Sequence, residues 1–331
     1  MEMRSLGRTN LAVSRIGLGL AALGRPGYIN LGHATDLRSD FAVAAMEAGA
    51  HAVLDAAWEA GIRYFDAARS YGRAETFLAS WLESRQILPA TATVGSKWGY
   101  IYTADWKVQA DKHEVKDHSL ATLGRQKRES KEVLGSHLSL YQIHSATLES
   151  GVLENREVLD ELARLSSDGL KIGLTATGPN QAEILRRALD VSVNGKRLFD
   201  CVQATWNILD QSAGSALQVA HDAGVGVIVK EALANGRLTE RNDDPSFAAK
   251  REMLTKGAAR LGTRLDALAL AAVLAQPWAD VVLSGAANVD QLNSNLAAQG
   301  VQWGQGESHL LDALIESSTE YWNTRAGLAW N

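Results

Sequence analysis

Four residues of this chain, Asp66, Tyr71, Lys97 and His144, have the types and placement to run one reaction together. Asp66 follows the β-rich run Arg63-Tyr64-Phe65, and Tyr71 lies five residues later in the same loop. Lys97 ends Val94-Gly95-Ser96, and His144 ends Tyr141-Gln142-Ile143. A tyrosine hydroxyl is a poor acid or base at neutral pH, with an unperturbed pKa of about 10. A nearby ammonium favours the tyrosinate and draws that value toward working pH. A carboxylate paired to the ammonium fixes its position and removes an uncompensated charge. An imidazole on the opposite rim can bond a substrate oxygen and orient it. That set suits proton transfer coupled to hydride transfer. Singly, each residue has a plainer explanation: Asp66 as a turn or cap residue, Lys97 as a rim charge, His144 as a satisfied core histidine.

Convergence of the four depends on the elements that carry them. Short β-rich runs occur at 15–18, 63–65, 93–95, 140–143, 171–174, 201–203, 225–229 and 281–283. Between them lie stretches with helical spacing, such as Val53, Leu54, Ala57 and Ala60, or Val158, Leu159, Leu162 and Leu165. Gly61, Gly169 and Gly224 read as helix stops. Eight strands alternating with helices, and no composition shift between halves, predict one parallel α/β barrel domain over residues 1–331. A doubly wound open sheet is the competing architecture. In a barrel the carboxyl ends of all strands open onto one face, where active sites form. Two stretches interrupt the cadence: 24–39, rich in Gly, Pro and Asn, and 98–118, which carries Tyr100, Tyr102, Trp106, His113 and His118. Long loops are functional or disordered, and the aromatic content of the second favours order.

Composition excludes several classes. With 331 residues, 46% apolar, 29 Gly and 5 Pro, the chain is neither disordered nor collagenous. Its single cysteine, Cys201, rules out a disulfide scaffold and fits a reducing compartment. Thirty-three basic against 38 acidic residues give a net charge of −5, which argues against a nucleic-acid binder. Met1-Glu2-Met3-Arg4 leads into no apolar signal core, and the Ala/Leu run between Asp266 and Asp280 contains Gln276 and Pro277. That run falls short of the roughly 20 residues a spanning helix needs. A soluble cytoplasmic protein without a membrane segment is expected. Nine tryptophans suit either pocket walls or core.

Competing motifs fare less well. Gly17-Leu18-Gly19-Leu20-Ala21-Ala22 has the form of a dinucleotide fingerprint, which requires a helix to begin at its last position. Gly24-Arg25-Pro26-Gly27 would break such a helix, so a tight strand end at a barrel rim is the better reading. His113 and His118 are five apart, off the spacing that places two ligands on one helix face. With Lys112, Glu114, Lys116 and Asp117 around them, a solvated charged loop is expected, and no metal site. The sequence holds neither a P-loop nor a G-x-S-x-G nucleophile elbow.

The segments Gly61 to Gly72 with Glu75, Ser96-Lys97, Tyr141 to His144, Gly169 to Thr175, Val202-Gln203, Gly226 to Ile228, Leu233 to Gly236 and Ser284 to Leu296 match a family in order and spacing. Through them the chain resembles the aldo-keto reductase superfamily over nearly its whole length. The resemblance implies a (β/α)8 TIM barrel with an N-terminal β-hairpin and long βα loops, binding an extended nicotinamide dinucleotide. Its catalytic tetrad falls on Asp66, Tyr71, Lys97 and His144. Tyr71 would be the acid in carbonyl reduction and the base in alcohol oxidation. Lys97 and Asp66 would tune it, and His144 would orient the substrate. The implied cofactor contacts are Gly19, Leu20, Asp66, Leu233, Gly236, Gly285 and Ala286, with Thr175 and Gln203 on the carboxamide and Asn295 on the adenine.

Departures from the family pattern carry expectations of their own. Ala176 stands where an asparagine usually follows Thr175. Lys230-Glu231-Ala232-Leu233 replaces aromatic-Ser-Pro-Leu, so a lysine stem stands where a ring would stack on the nicotinamide, unless Trp206 covers it. Glu231 sets a carboxylate near the pyrophosphate path, with Lys230 as its neutralising partner. Ala287 and Gln291 stand where the family often has a basic residue for the 2′-phosphate, and losing that contact should weaken NADP preference. NAD or dual use of NAD(P)(H) is therefore expected. Leu20, Tyr28, Trp98 and Tyr100 are the expected substrate walls, with loop packing as their alternative. The substrate would be a small carbonyl or alcohol (aldehyde, ketone or sugar); no helix face announces an oligomer. A dinucleotide-binding regulatory or scaffold subunit is the alternative, for which the altered Lys230-Glu231 segment leaves room. A phosphate-substrate barrel lyase or isomerase lacks the basic Gly-rich loop it would need.

Overall fold

In the computed structural model, which describes residues 1–37, 39–304, 306 and 312–331, all eight β-rich runs become strands of one closed barrel. They are β1 (Ile16–Gly19), β2 (Tyr64–Asp66), β3 (Thr93–Trp98), β4 (Leu138–Ala146), β5 (Lys171–Ala176), β6 (Cys201–Thr205), β7 (Gly226–Lys230) and β8 (Val281–Ser284). Each pairs in parallel with its neighbours in sequence, and β8 closes onto β1. The outer layer is α1 (Val43–Glu59), α2 (Ala74–Ser84), α3 (Leu120–Leu134), α4 (Arg156–Ser167), α5 (Gln181–Asp190) and α6 (Gly214–Asp222). It continues with α7 (Ala248–Arg260) and α8 (Leu265–Leu274), which share the seventh crossover, then α9 (Val289–Leu296) and α10 (Ser318–Ala326). An open doubly wound sheet is thereby excluded.

The helices form where the spacing predicts. Val158, Leu159, Leu162 and Leu165 are all buried on one face of α4, while Asn155 accepts from the Val158 amide as its N-cap. Gly169 follows α4 with a φ of 96°, a left-handed stop that costs a glycine little. An N-terminal hairpin, Met3–Ser5 against Ala12–Ser14, covers the bottom of the barrel. Leu6 and Val13 of its loop and second strand join the interior cluster of Tyr64, Leu140, Cys201, Ile228 and Val281. Asp280 anchors this plug, accepting from the amides of Val227 at 2.8 Å and Gly7 at 3.3 Å. Among the described residues no helix is long and apolar enough to cross a membrane.

The Gly17-Leu18-Gly19 segment owes its glycines to packing. A Cβ at Gly17 would sit 2.8 Å from the Tyr64 ring and 2.9 Å from Val281 Cγ1, inside the barrel. After β1 the chain turns at 21–23, and the next helical residues are the short turn His33–Asp36, so no dinucleotide-binding helix follows. β3, β4 and β5 run on past the expected β-rich runs, so Lys97, His144 and Thr175 lie within strands. In β4 the register shifts between Ile143 and Ala146, with Ser145 at φ 53°, a bulge at the rim beside His144.

Glu75, at the start of α2, ties the second and third βα units together. Its buried carboxylate accepts from Ser96 Oγ of β3 at 2.5 Å and Ser130 Oγ of α3 at 2.6 Å, and pairs with Arg69 Nη1 at 2.5 Å. Removing the guanidinium leaves that carboxylate buried and uncompensated. Arg69→Met should therefore cost about 3 kcal/mol in urea unfolding, and less when combined with Glu75→Gln, which removes the stranded charge.

Candidate active site

Barrel parity decides which side chains reach the open end. Inward residues alternate with residues facing the helices along every strand. Asp66, Lys97, Gln142 and Gln203 point inward and meet. Asp66 is 2% exposed and takes four bonds. Its Oδ2 accepts from Lys97 Nζ at 2.5 Å and Gln203 Nε2 at 3.2 Å; its Oδ1 accepts from Tyr64 Oη at 3.1 Å and Gln142 Nε2 at 3.3 Å. Lys97, 1% exposed, also donates to the Ala67 carbonyl at 3.0 Å.

Tyr71 lies above this pair. Lys97 Nζ is 4.9 Å from the centroid of its ring, and its hydroxyl is 3.5 Å from His144 Nε2. The two rings meet edge-on at 5.4 Å, and His144 Nδ1 lies 3.4 Å from Ser70 Oγ. All four sequence-predicted residues thus meet at one rim. Burial, then the Lys97, Arg25 and Lys230 charges, hold the His144 pKa well below its usual value, so the imidazole is neutral. The Tyr71 phenol departs from expectation. Burial and then the Asp66 carboxylate push its pKa up, while Lys97 donates to Asp66 and Ala67 and lies over the ring.

A cavity of about 990 Å³ opens above the four, at the upper end of the volumes typical of cofactor and ligand sites. It runs from Tyr71 and His144 over the ends of β7 and β8 to the first turns of α9. Gly19, Tyr28, Tyr100, Gln203, Lys230, Glu231, Leu233, Gly236, Gly285, Ala286, Gln291 and Asn295 line it as expected. Five expected contacts do not. Leu20, Trp98 and Trp206 share the parity of residues that face the helices, and each is buried in the outer core. Trp206 packs edge-on against Trp278 at 5.6 Å, so it covers no cavity surface. Thr175 points inward, but its hydroxyl accepts from the Ser145 amide at 2.6 Å and does not line the cavity. Ala287 is turned away, its amide donating to Gln291 Oε1 at 2.8 Å. Gln291 so braces its own loop, and Asn295 Nδ2 is held by Ser284 Oγ at 2.8 Å.

The expected Lys230–Glu231 neutralisation is corrected too. Arg325 of α10 grips the Glu231 carboxylate through Nε and Nη2 at 2.5–3.0 Å, whereas Lys230 Nζ stays 3.9 Å away and donates to Thr205 Oγ1 at 2.8 Å. Arg325 and Lys230 together hold the Glu231 pKa at about 2 against its burial, while burial lowers Lys230 to about 8. Sequence reasoning missed Arg25, Glu114, Arg325 and Trp330, all of which line the cavity. Nor is the 113–118 segment a solvated loop: His113 stacks on Trp330 at 3.9 Å, and His118 Nε2 bonds the His144 carbonyl at 2.9 Å.

Small strand-end residues Gly19, Gly285 and Ala286 open the cavity floor. Asn235 Oδ1 and Ser294 Oγ, on lining residues, are buried without partners. Such a channel, with polar atoms awaiting a ligand, fits an extended polar cofactor. The model of the Aldo/keto reductase family matches residues 15–316. The chain belongs to the aldo/keto reductase family. It is 28% identical over 275 residues to pyridoxal 4-dehydrogenase of Microbacterium luteolum, covering 72% of each chain. It is 27% identical over 310 residues to L-galactose dehydrogenase of Arabidopsis thaliana, covering 90% of this chain and 88% of that one. Aldo-keto reductase AKR11C1 of Bacillus halodurans, solved in a holo form, shares the fold at a TM-score of 0.74 and 22% identity, over 96% of this chain and 97% of its own. The family is one of oxidoreductases that use NAD(P)H on small carbonyl compounds.

Burial has a stability consequence for the histidines around this aldo/keto reductase site. His33 and His118 are lowered by burial to about 4, from about 6.5 unfolded. Their contribution is intact above the unfolded value and is lost as pH falls toward the folded one, because the unfolded chain takes up the protons. Each should remove about 2 kcal/mol between pH 7 and pH 5. Urea unfolding across that range should show the decline, with a shallower slope in His118→Asn.

Proposed function

We propose that this chain interconverts a small carbonyl compound and its alcohol, with Tyr71 as the proton donor in reduction. The observation that carries the reading is the buried Asp66–Lys97 pair beneath the Tyr71 ring, with a neutral His144 3.5 Å from the phenol. The substrate oxygen would sit between Tyr71 Oη and His144 Nε2. Tyr71 donates to that oxygen, and His144 in the tautomer with its proton on Nε2 would donate to it as well, with Ser70 Oγ then donating to Nδ1. A reduced nicotinamide, when bound, supplies the hydride. As the oxygen gains charge, Tyr71 gives up its proton, and the Lys97 ammonium beside the ring stabilises the phenolate that forms. Asp66 keeps that ammonium in place. In alcohol oxidation the tyrosine works as the base.

Gln203, whose Nε2 is spent on Asp66, keeps Oε1 for a carboxamide. Leu233, Gly236, Gly285 and Ala286 would flank the pyrophosphate, with Asn288, Gln291 and Asn295 at the adenosine. Glu231 is no obstacle there, because Arg325 neutralises it. Charge at the far end favours NAD. Arg241 is paired with Asp36, and Arg264 lies 3.1 Å from Glu240 and 3.6 Å from Asp266, while Asp290 adds a further carboxylate to the lining. A 2′-phosphate would meet acids and already committed guanidiniums. The single buried cysteine fits a cytosolic setting.

Tyr71→Phe should lower kcat with a small aldehyde by at least about 100-fold. NADH binding, followed by fluorescence, should hardly change. Turnover retained in Tyr71→Phe would remove the tyrosine from its role, and absence of turnover in the unaltered enzyme would favour a regulatory subunit. The KM for NADH should be lower than that for NADPH by about tenfold or more. The reverse order would overturn the NAD reading.

A further inference from the structure

Arg25, on the loop after β1, is 3% exposed and lines the cavity beside Tyr71. Its guanidinium carbon lies 5.1 Å from the Tyr71 ring centroid, 5.3 Å from Tyr28 and 4.9 Å from Trp330, so three aromatic rings enclose it. Among the described residues only one of its nitrogens is engaged. Nη1 donates to the Ser70 carbonyl at 3.0 Å and to Glu114 Oε2 at 2.9 Å, whereas Nε is buried without a partner. Among the described residues, Nη2 also donates to none. Glu114 comes from the strand Glu114–Lys116, lines the same cavity, and commits a single oxygen to Arg25. A buried cation with unmet donors is costly, and the cost is relieved when a ligand supplies the acceptor.

What the ligand brings follows from charge. Arg25 and Glu114 cancel, so the pair offers one donor edge and one acceptor oxygen with no net charge. A hydroxyl both donates and accepts, and so can satisfy both at once. A carboxylate only accepts, and would face Glu114 as a like charge. The pair lies against Tyr71, where the reacting carbonyl would be held, so the hydroxyl it reads belongs on a neighbouring carbon. Tyr28 and Trp330, whose faces meet Arg25 and which both line the cavity, leave their ring edges as apolar surface for the carbon skeleton.

We propose that Arg25 and Glu114 are a specificity-determining pair that selects carbonyl substrates bearing a hydroxyl on the carbon next to the carbonyl. The assignment rests on Tyr71 marking the reacting end of the cavity. Lactaldehyde and propanal, which differ only in that hydroxyl, provide the test with the NADH-loaded enzyme. The ratio of their kcat/KM values should favour lactaldehyde by about 30-fold, and should collapse to within about threefold in Arg25→Met. A ratio near one in the unaltered enzyme would overturn the assignment while leaving the proposed function standing. So would an equal fall for both substrates in Arg25→Met, which marks a structural role, or a preference for glyoxylate over lactaldehyde, which marks an anion site. If neither aldehyde is turned over, the proposed function fails and binding decides the pair separately. Propane-1,2-diol should then bind at least about tenfold tighter than propan-1-ol by calorimetry, and Arg25→Met should erase the difference. Equal binding of the two would overturn the assignment.

Discussion

The ion pair between Asp66 and Lys97 is the constraint around which the top of the barrel is organised. Two charges removed from water this completely are costly unless their remaining bonding capacity is met. The barrel meets it with Tyr64, Gln142 and Gln203 on the carboxylate and the Ala67 carbonyl on the ammonium. The side-chain partners come from β2, β4 and β6, and with Lys97 on β3 the pair fixes the relative heights of half the strands. It also dictates where no side chain can be. A Cβ at Gly95 would lie 2.6 Å from Tyr64 Oη, and one at Gly173 would lie 2.8 Å from Gln142 Cγ. Both glycines make room for the side chains that satisfy Asp66.

Strand identity and the four polar residues at strand ends were legible because both depend on short-range pattern. Eight β-rich runs and their helix stops name a barrel, and the barrel then brings Asp66, Lys97 and His144 to one face. Errors began where the pattern had to be read through side-chain direction. Leu20, Trp98 and Trp206 are near the rim in sequence, yet each is an odd number of residues from an inward neighbour: Gly19, Lys97 and Thr205. One residue of offset turns a side chain from cavity to outer core. Large apolar residues at those positions are what the helix layer requires, so their type carried no warning.

Arg25 and Arg325 were illegible for a different reason. Their partners lie far along the chain: Arg25 meets Glu114 across 89 positions, and Arg325 meets Glu231 across 94. Neither pair has a spacing signature, because both are made by loops, a short hairpin strand and the helix α10, which fold back over the barrel. The nearest signal was compositional: a carboxylate at position 231 in a channel suited to phosphates demands a cation from somewhere. Lys230 was the neighbour in sequence, but a strand residue and its successor point apart. The backbone at Glu231, at φ 56°, is turned toward α10 and held there by Asn207 Nδ2 on its carbonyl at 2.9 Å.

The protonation states of the site follow from where its charges are spent. Had Lys97 addressed the Tyr71 hydroxyl directly, the ammonium would stabilise a phenolate already in the resting protein. With its protons committed to Asp66 and Ala67, it meets the ring face instead, and burial keeps the phenol intact. Burial, and after it the cations that surround it, keep His144 neutral. The resting rim therefore presents an uncharged phenol and an uncharged imidazole above the Lys97 ammonium. In the proposed reaction such an arrangement would bind a neutral carbonyl without strong ground-state attraction, and would reserve the electrostatic gain for the moment the oxygen becomes charged.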